Sequence, residues 1–340
     1  MSSIPLRLLN LPPTIRQTWF ESITNAKCFT TSAYRAAPGH ENPLGLPRSG
    51  TPPNLAARMK RGKRQHQLEH NLEQTLTTTT GLPEKRPIPN VRKVIAVSSA
   101  KGGVGKSTIS VNLALAMAQQ GLHTGVLDTD IYGPSIPTLL NLEGYEPELD
   151  ANNRLLPLTA YGVKAMSMGF LVPRDSPVAW RGLMLQKAMT QLLFEVSWPS
   201  LDVLVIDLPP GTGDVQLTLT QSVQLAGAAI VSTPQDLALR DAVRGIAMFE
   251  KVNVPILGMI QNMSTFTCTN CGHNHDIFGL DGAKKKCHEM GINFLGDIPL
   301  HPDTCASADN GKPTMAASPD SPQAQAFIDI AKVITATLAL

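Results

Sequence analysis

The sequence from residue 100 to residue 108 is Ala100-Lys101-Gly102-Gly103-Val104-Gly105-Lys106-Ser107-Thr108. A short apolar run, Val94–Val97, precedes it, and a stretch with helical spacing of apolar residues follows it and stops at Gly121. Strand, glycine-rich turn and helix in this order open a βαβ unit. The segment therefore predicts the first strand of a parallel sheet and the helix that follows it.

The same segment has the composition of a phosphate-binding loop. Backbone N–H groups can crowd around one anion only where few side chains intervene, and the following helix adds its positive end. Lys106 is placed to reach the β- and γ-phosphates of a nucleotide, and the Ser107 hydroxyl to bind Mg²⁺. Ala100 stands where the usual pattern has its first glycine, and Lys101 precedes the glycine pair. The predicted nucleotide-binding residues are Gly102, Gly103, Val104, Gly105, Lys106, Ser107 and Thr108.

Carboxylates follow two further apolar runs. Asp207 ends the run Val203–Ile206, where a Walker B acid would hold Mg²⁺, usually through water. Asp128 and Asp130 follow the run Val126–Leu127. Each Asp taken singly is more often a helix cap or a turn residue. Because the carboxyl ends of parallel strands form the ligand-binding edge of such a sheet, the set favours a metal and water role.

Apolar runs alternate with helix-compatible stretches along the rest of the chain. The helical stretches are residues 181–195, 214–225, 237–250 and 281–290, and residues 155–158 and 163–168 read as an inserted hairpin. This alternation predicts a doubly wound α/β fold with a mainly parallel sheet covered on both faces.

Composition and charge limit the function. The chain has 340 residues, of which 42% are hydrophobic, and no apolar run approaches the roughly 18 to 20 residues that cross a bilayer. Residues 1–93 carry 14 basic and 5 acidic side chains, whereas residues 94–340 carry 15 and 22. A body with a net charge of −7 is poorly suited to bind nucleic acid through its phosphates. Neither a nucleic-acid partner nor an integral membrane segment is expected.

The first 40 residues are basic, rich in Ser and Thr, and contain a single acidic residue, Glu21. They lack the uninterrupted apolar segment of a secretory signal, so they favour an organellar transit peptide, with the mitochondrion as destination. A disordered basic tail is the alternative. We expect a transit peptide at residues 1–37, a flexible lead-in at 38–90, and one domain at 91–340.

Cys268 and Cys271 form a C-x-x-C pair in the polar loop 264–276. A redox dithiol would need a thioredoxin-like context, which is absent. Zinc could be bound by the pair together with His273 and His275. An iron–sulfur cluster normally needs four thiolates, which two chains related by a two-fold axis would supply. The cluster interpretation therefore also predicts a homodimer, and the zinc interpretation remains open.

The remaining cysteines of the domain show no ligand spacing. Cys287 and Cys305 are expected to be ordinary buried residues. Four thiols in a domain of this length do not form a disulfide scaffold, which agrees with a reducing compartment.

Taken together, these motifs resemble a known class of nucleotide-binding proteins. Residues 101–107 are similar to the deviant Walker A motif of the SIMIBI class of P-loop NTPases, which MinD, ParA and the nitrogenase iron protein share. Residues 128–135, 207–214, 261–264 and 268–272 narrow the resemblance to the Mrp family. With its presequence-like start, the chain is most similar to the mitochondrial NUBPL type, over about residues 81–335.

The resemblance implies an ATP-binding carrier that holds a 4Fe-4S cluster between two subunits, with slow ATP hydrolysis in a carrier role. It implies delivery to apoproteins in the mitochondrial matrix, among them subunits of respiratory complex I. It also implies that Lys101 contacts nucleotide across the dimer and that Asn262 recognises adenine. The residues assigned are Lys101, Asp128 and Asp130 to catalysis, the loop with Asp207 and Asn262 to Mg-ATP, and Cys268 and Cys271 to the cluster.

Other functions within the class fit less well. A positioning ATPase of the MinD kind needs a basic amphipathic C-terminal helix, but residues 320–340 hold one Lys and two Asp. A DNA partitioner of the ParA kind needs a basic body. The runner-up is a zinc-stabilised, nucleotide-dependent scaffold without cluster transfer.

Overall fold

The structure, a computed structural model, describes residues 85–171 and 182–340, without the side chains of residues 182–186 and 214. All of the described residues belong to one unit, Gly81–Leu340. The predicted transit peptide and the lead-in as far as residue 84 lie outside the described residues.

The centre of this unit is a nine-stranded sheet. Its strands are β1 (Val91–Ser98), β2 (Thr124–Asp128), β3 (Leu158–Ala160), β4 (Val163–Ser167), β5 (Leu201–Asp207), β6 (Gly227–Ser232), β7 (Ile256–Thr267), β8 (Asn274–His275) and β9 (Phe294–Leu300). Their order is β3-β4-β2-β5-β1-β6-β7-β8, and β9 also pairs with β7. The β3–β4 and β7–β8 pairs are antiparallel and the others parallel.

Helices connect the strands. They are α1 (Lys106–Gln119), α2 (Ile136–Leu139), α3 (Gly182–Phe194), α4 (Asp214–Ser222), α5 (Asp236–Lys251), α6 (Gly282–Met290), α7 (Pro302–Asp309), α8 (Thr314–Ala317) and α9 (Pro322–Leu338), with a 3-10 turn at Met168–Phe170. From β1 the chain crosses to β2 and β4, returns to β5 between β2 and β1, and then continues to β6 and β7 on the other side of β1. Crossovers between parallel strands are almost always right-handed, so a sheet that the chain crosses in both directions carries helices on both faces. The predicted fold class is confirmed, and no helix in the described ranges is long and apolar enough to cross a membrane.

Sheet register brings the predicted acidic residues together. β2 and β5 pair so that Asp128 lies beside Asp207, and Asp207 lies beside Val97 of β1. β1 ends at Ser98, and the glycine-rich loop begins two residues later, at Ala100. The loop and both carboxylates are therefore neighbours at the carboxyl edge of the sheet.

The last residues of the predicted flexible lead-in are packed. Ile88 is buried, and the Arg86 guanidinium lies 4.3 Å from the centre of the Phe194 ring. The Arg86 N–H also donates to the Ser222 carbonyl at 2.9 Å. The lead-in therefore becomes part of the fold before residue 91, because an apolar side chain and a backbone bond anchor it there.

Candidate functional site

The glycine-rich loop leaves space beside its backbone. Gly103 and Gly105 have φ angles of 78° and 83°, in the left-handed region that favours glycine. A Cβ atom built on Gly102 or Gly103 would meet no atom within 4 Å. α1 begins directly after the loop, so its N-terminus faces the same space. This open cradle at a helix N-terminus fits phosphate groups.

A buried polar cluster lies under the loop, centred on the fully buried Asp207. Its Oδ2 atom accepts a hydrogen bond from Ser107 Oγ at 2.6 Å and lies 2.7 Å from Lys106 Nζ. Its Oδ1 atom accepts from Ser110 Oγ at 2.7 Å. Carboxylate and hydroxyl oxygens are the ligands that Mg²⁺ prefers, so the donor set fits a magnesium nucleotide.

A cavity of about 530 Å³ opens at this cluster. That volume lies within the range of small-molecule sites. Its phosphate end is formed by the glycine-rich loop, and its far end by the region between β9 and α7. Lining residues include Gly102, Lys106, Ser107, Thr108, Asp130, Asn262, Pro299, His301 and Cys305. The predicted loop residues and the middle of β7 therefore share one cavity, while the side chain of Val104 within the loop is buried.

Asp128 and Asp130 differ in position. Asp128 is fully buried, and its Oδ2 atom accepts hydrogen bonds from the N–H groups of Ser135 and Ile136 at 3.0 and 3.1 Å. Ser167 Oγ donates to the same oxygen at 3.0 Å. Burial, and secondly the charge of Asp207, raise the pKa of Asp128 to about 7.

Asp130 lines the cavity, and its Oδ1 atom accepts hydrogen bonds from the N–H groups of Tyr132 and Gly133 at 3.2 Å. Asp128 instead anchors the loop 129–136 from below. The Asp128 carboxylate accepts hydrogen bonds from this loop and from Ser167 and does not line the cavity, so a catalytic contact for Asp128 stays a prediction. Of the two, Asp130 is the carboxylate that can approach a bound nucleotide.

Asn262 and Lys101 occupy different parts of the site. Asn262 lines the cavity from the middle of β7, and its Nδ2 atom donates to the Val104 carbonyl at 2.8 Å. It thus ties β7 to the glycine-rich loop, and adenine recognition stays a prediction. Lys101 is exposed on the loop, where its carbonyl accepts from Ser99 Oγ at 3.0 Å. A contact across a dimer likewise stays a prediction.

Substitution of two loop glycines should separate folding from nucleotide binding. A Cβ on Gly105 would lie 2.3 Å from Asn262 Nδ2, at a left-handed φ that costs an L-residue roughly 1–2 kcal/mol. Gly105→Ala should therefore lower both the free energy of unfolding and the affinity for ATP. Gly102→Ala should leave the unfolding free energy within about 0.5 kcal/mol of wild type and weaken ATP binding alone. Urea unfolding and equilibrium ATP binding test this, and equal stability losses would contradict it.

The cysteine pair lies on a short hairpin. β8 pairs with Phe266 and Thr267 at the end of β7, and the Cys268 N–H donates to the His273 carbonyl at 2.9 Å. Cys268 is partly exposed and Cys271 exposed, and both are free thiols. The N–H of Cys271, then that of Asn270 and the Cys271 thiol, hold the pKa of Cys268 below its usual range. A favoured thiolate on an exposed turn is suited to ligate a metal.

The histidines beside the pair do not complete a local metal site. The rings of His273 and His275 stack edge to face with centroids 4.7 Å apart. Within residues 85–171 and 182–340, no group of three or more His, Cys, Asp or Glu is arranged to hold a metal ion. The described geometry thus gives the zinc alternative no Cys2His2 centre within one chain, and it leaves two thiols facing outward.

The two other cysteines of the domain differ from each other. Cys287 is buried as expected, and burial raises its pKa. Cys305 is exposed and lines the nucleotide-sized cavity, which corrects the expectation that it is buried. Cys305 lies on α7, a helix that the sequence pattern did not predict. The side of the helix that carries Cys305 could therefore not be inferred. Ser110 was also missed, although its position one turn after Lys106 on α1 was a usable signal.

The glycine-rich loop between β1 and α1, the Asp207 cluster beneath it and the cavity at the carboxyl edge of a doubly wound sheet define a P-loop nucleotide-binding protein. The chain belongs to the family of NUBPL iron-transfer P-loop NTPases of the ParA group, whose model matches residues 90–335. The resemblance inferred from the motifs is confirmed at this level.

Individual relatives support this family assignment. The iron-sulfur cluster transfer protein NUBPL of Mus musculus is 51% identical over 266 residues, covering 78% of this chain and 83% of the relative. The protein of that name from Dictyostelium discoideum is 53% identical over 74% of this chain and 78% of its own length. A solved nucleotide-binding protein of Archaeoglobus fulgidus in complex with ADP has a TM-score of 0.61 and 37% identity, covering 70% of this chain and 93% of that one.

Proposed function

We propose that this protein binds Mg-ATP and carries a 4Fe-4S cluster, held between two subunits, for delivery to apoproteins. The observation that carries the proposal is the exposed Cys268–Cys271 hairpin at the end of β7, the strand that also reaches the P-loop through Asn262. Membership of an iron-transfer NTPase family and relatives named for cluster transfer support it.

The cluster is the cargo, and its ligands require two chains. Each chain offers two outward thiols, so a homodimer with a two-fold axis near the hairpins offers four, the usual number for a 4Fe-4S cluster. The lowered pKa of Cys268 favours the thiolate that binds iron. Ligand exchange with thiolates of an acceptor would then move the cluster, since both cysteines are accessible.

In the nucleotide site, some residues would bind the phosphates and Mg²⁺, and others would position the attacking water. The loop N–H groups and Lys106 would bind the phosphates, and Ser107 and Asp207 would hold Mg²⁺, which neutralises charge on the β- and γ-phosphates. Asp130 would position the attacking water, and Asp128 holds the loop that carries Asp130. Hydrolysis in this proposal is slow and serves the carrier role.

Metal analysis of anaerobically purified, full-length protein tests the proposal. We expect iron and sulfide in equal amounts, at about four of each per dimer, with a visible absorbance of the cluster. Zinc in place of iron would favour a zinc-stabilised scaffold and would overturn cluster transfer.

Location and clients are part of the proposal. The basic, acid-poor first 40 residues support import into the mitochondrial matrix, where apo-subunits of complex I would be acceptors. Residues 1–45 fused to a soluble reporter should send it to mitochondria and be shortened there. The same fusion with the four basic residues Arg7, Arg16, Lys27 and Arg35 changed to Gln is the control. A full-length reporter that stays in the cytosol would refute the transit peptide.

Mixing experiments test the role of Lys101 across the dimer. A cation supplied by the partner can stabilise charge that develops at the γ-phosphate. Lys101→Ala and Asp130→Ala dimers should each hydrolyse ATP poorly. A mixed dimer keeps one site with Asp130 intact in its own chain and Lys101 intact in the partner. Mixing should restore roughly a quarter of wild-type activity, since about half of randomly assorted dimers are mixed. No recovery despite verified mixed dimers would place Lys101 in its own chain's site.

A further inference from the structure

The second half of β7, from Asn262 to Thr267, connects the nucleotide cavity to the cysteine hairpin without a break in the chain. Asn262 and Met263 line the cavity, and Cys268 follows the last residue of β7. At roughly 3.3 Å per strand residue, Met263 and Cys268 lie within about 17 Å along the chain. A displacement of this segment therefore reaches the cluster ligand directly.

This segment contains an irregularity in the sheet. The β7–β9 ladder pairs Asn262 with Ile298 and next pairs Phe266 with Leu300, so four steps on β7 match two on β9. Met263 adopts a φ of 56°, in the left-handed region that non-glycine residues seldom occupy. Bulges of this kind bend a strand and are frequent beside functional sites. We call residues 263–265 the β7 bulge.

Two side-chain hydrogen bonds hold the β7 bulge from opposite sides. Before it, Asn262 Nδ2 donates to the Val104 carbonyl of the P-loop at 2.8 Å. Within it, the buried Ser264 donates through Oγ to Asp297 Oδ2 of β9 at 2.9 Å. The first bond belongs to the cavity that takes the nucleotide, and the second belongs to the sheet. A ligand that drew the Asn262 amide away from the Val104 carbonyl would remove the first restraint and leave the second in place.

We propose that the β7 bulge is a positioning element that couples nucleotide occupancy to the placement of the Cys268 thiol within a single chain. The inference rests on the proposed function and adds a route that needs no partner lysine. Its physical basis is that two hydrogen bonds hold this segment, one to the P-loop and one to β9. Only the bond from Asn262 to the P-loop lies at the nucleotide cavity. Linkage then requires that the bound cluster change the affinity for ATP by the same factor as ATP changes the affinity for the cluster.

Two substitutions loosen the β7 bulge in different ways. Met263→Gly allows the left-handed backbone without hindrance from a Cβ atom, so the segment gains conformations. Ser264→Ala removes the bond to Asp297. Asn253→Gly is the matched control, because Asn253 also has a left-handed φ, 54°, but is exposed in the turn before β7. Lys101→Ala is included to remove the proposed contact across the dimer.

The measurement is the affinity for a non-hydrolysable ATP analogue, taken on the full-length dimer with and without its cluster under anaerobic conditions. In wild type we expect the two dissociation constants to differ on the order of tenfold, a typical allosteric coupling. The ratio of the dissociation constant without the cluster to the one with it should fall toward one in Met263→Gly and Ser264→Ala. It should stay near the wild-type value in Asn253→Gly. In Lys101→Ala the ratio should remain different from one, although closer to one than in wild type. Visible circular dichroism of the cluster gives a second measurement. The spectral change on addition of nucleotide should be largest in wild type and Asn253→Gly and smallest in the two bulge variants.

The outcomes separate this inference from the proposed function. A cluster-loaded wild type with a ratio of one, or an unchanged ratio in both bulge variants, overturns the inference and leaves the carrier function standing. Complete loss of the ratio in Lys101→Ala also overturns it, because the coupling would then run through the partner. A wild type that retains no iron overturns the carrier function, and the inference with it.

Discussion

Replacing Cys268 or Cys271 by Ala is expected to reduce the iron content of the anaerobically purified protein to less than about a tenth of wild type. In the proposed homodimer each change would occur in both chains and remove two of the four thiolates that a 4Fe-4S cluster needs. Binding of ATP to the apoprotein should stay within about twofold of wild type, because the hairpin does not line the nucleotide cavity. Iron, sulfide and ATP binding measured on the same samples test this.

The two other cysteines of the domain provide matched controls. Cys305→Ala changes an exposed thiol outside the hairpin and should leave iron content unchanged. Cys287→Ala should also keep its iron, but it removes a buried sulfur and should lower the unfolding free energy by about 1 kcal/mol. Full iron content in Cys268→Ala would contradict the ligand assignment. So would an equal loss of iron in Cys305→Ala.

Lys106→Met should weaken ATP binding roughly 10- to 100-fold, since a hydrogen bond to a charged group contributes about 1.5–3 kcal/mol. Lys106 and Asp207 form a buried ion pair, with side-chain exposures of 7% and 0%. Removing one partner of a buried pair costs about 3–5 kcal/mol of stability. The single variant should therefore be less stable as well as unable to hold the nucleotide tightly.

The double variant Lys106→Met, Asp207→Asn separates these two effects. It removes both charges, so much of the unfolding free energy should return while ATP binding stays weak. Lys101→Ala is the matched lysine control and should keep apoprotein affinity within about fivefold, because its side chain is exposed. Urea unfolding and equilibrium binding give both quantities. An equal loss of affinity in Lys101→Ala and Lys106→Met would show that both lysines act within one chain.

Local patterns account for most of the fold. Predicted helices at residues 181–195 and 237–250 correspond to α3 at Gly182–Phe194 and α5 at Asp236–Lys251. The predicted hairpin around Tyr161 is the antiparallel β3–β4 pair. These agreements follow from hydrophobic periodicity and glycine positions, which act over a few residues.

Failures of prediction arise where sequence gives no local signal. α7 is short and contains no buried residue, so it shows no apolar periodicity, and the exposure of Cys305 on it went unpredicted. Asp128 and Asp130 have the same residue type two positions apart. Their different surroundings depend on the distant Ser167, which bonds Asp128, and on the cavity, which Asp130 alone of the two lines.

By itself, the sequence determined the strand, glycine-rich loop and helix of the nucleotide site, the doubly wound class and the closely spaced cysteine pair. Each depends on residues that are neighbours in the chain. Only the tertiary structure decided that Asn262 binds the P-loop carbonyl of Val104, 158 positions away, and that β7 carries a bulge between this contact and Cys268. Such pairings are set by sheet register and by competition among many distant partners, which no local pattern encodes.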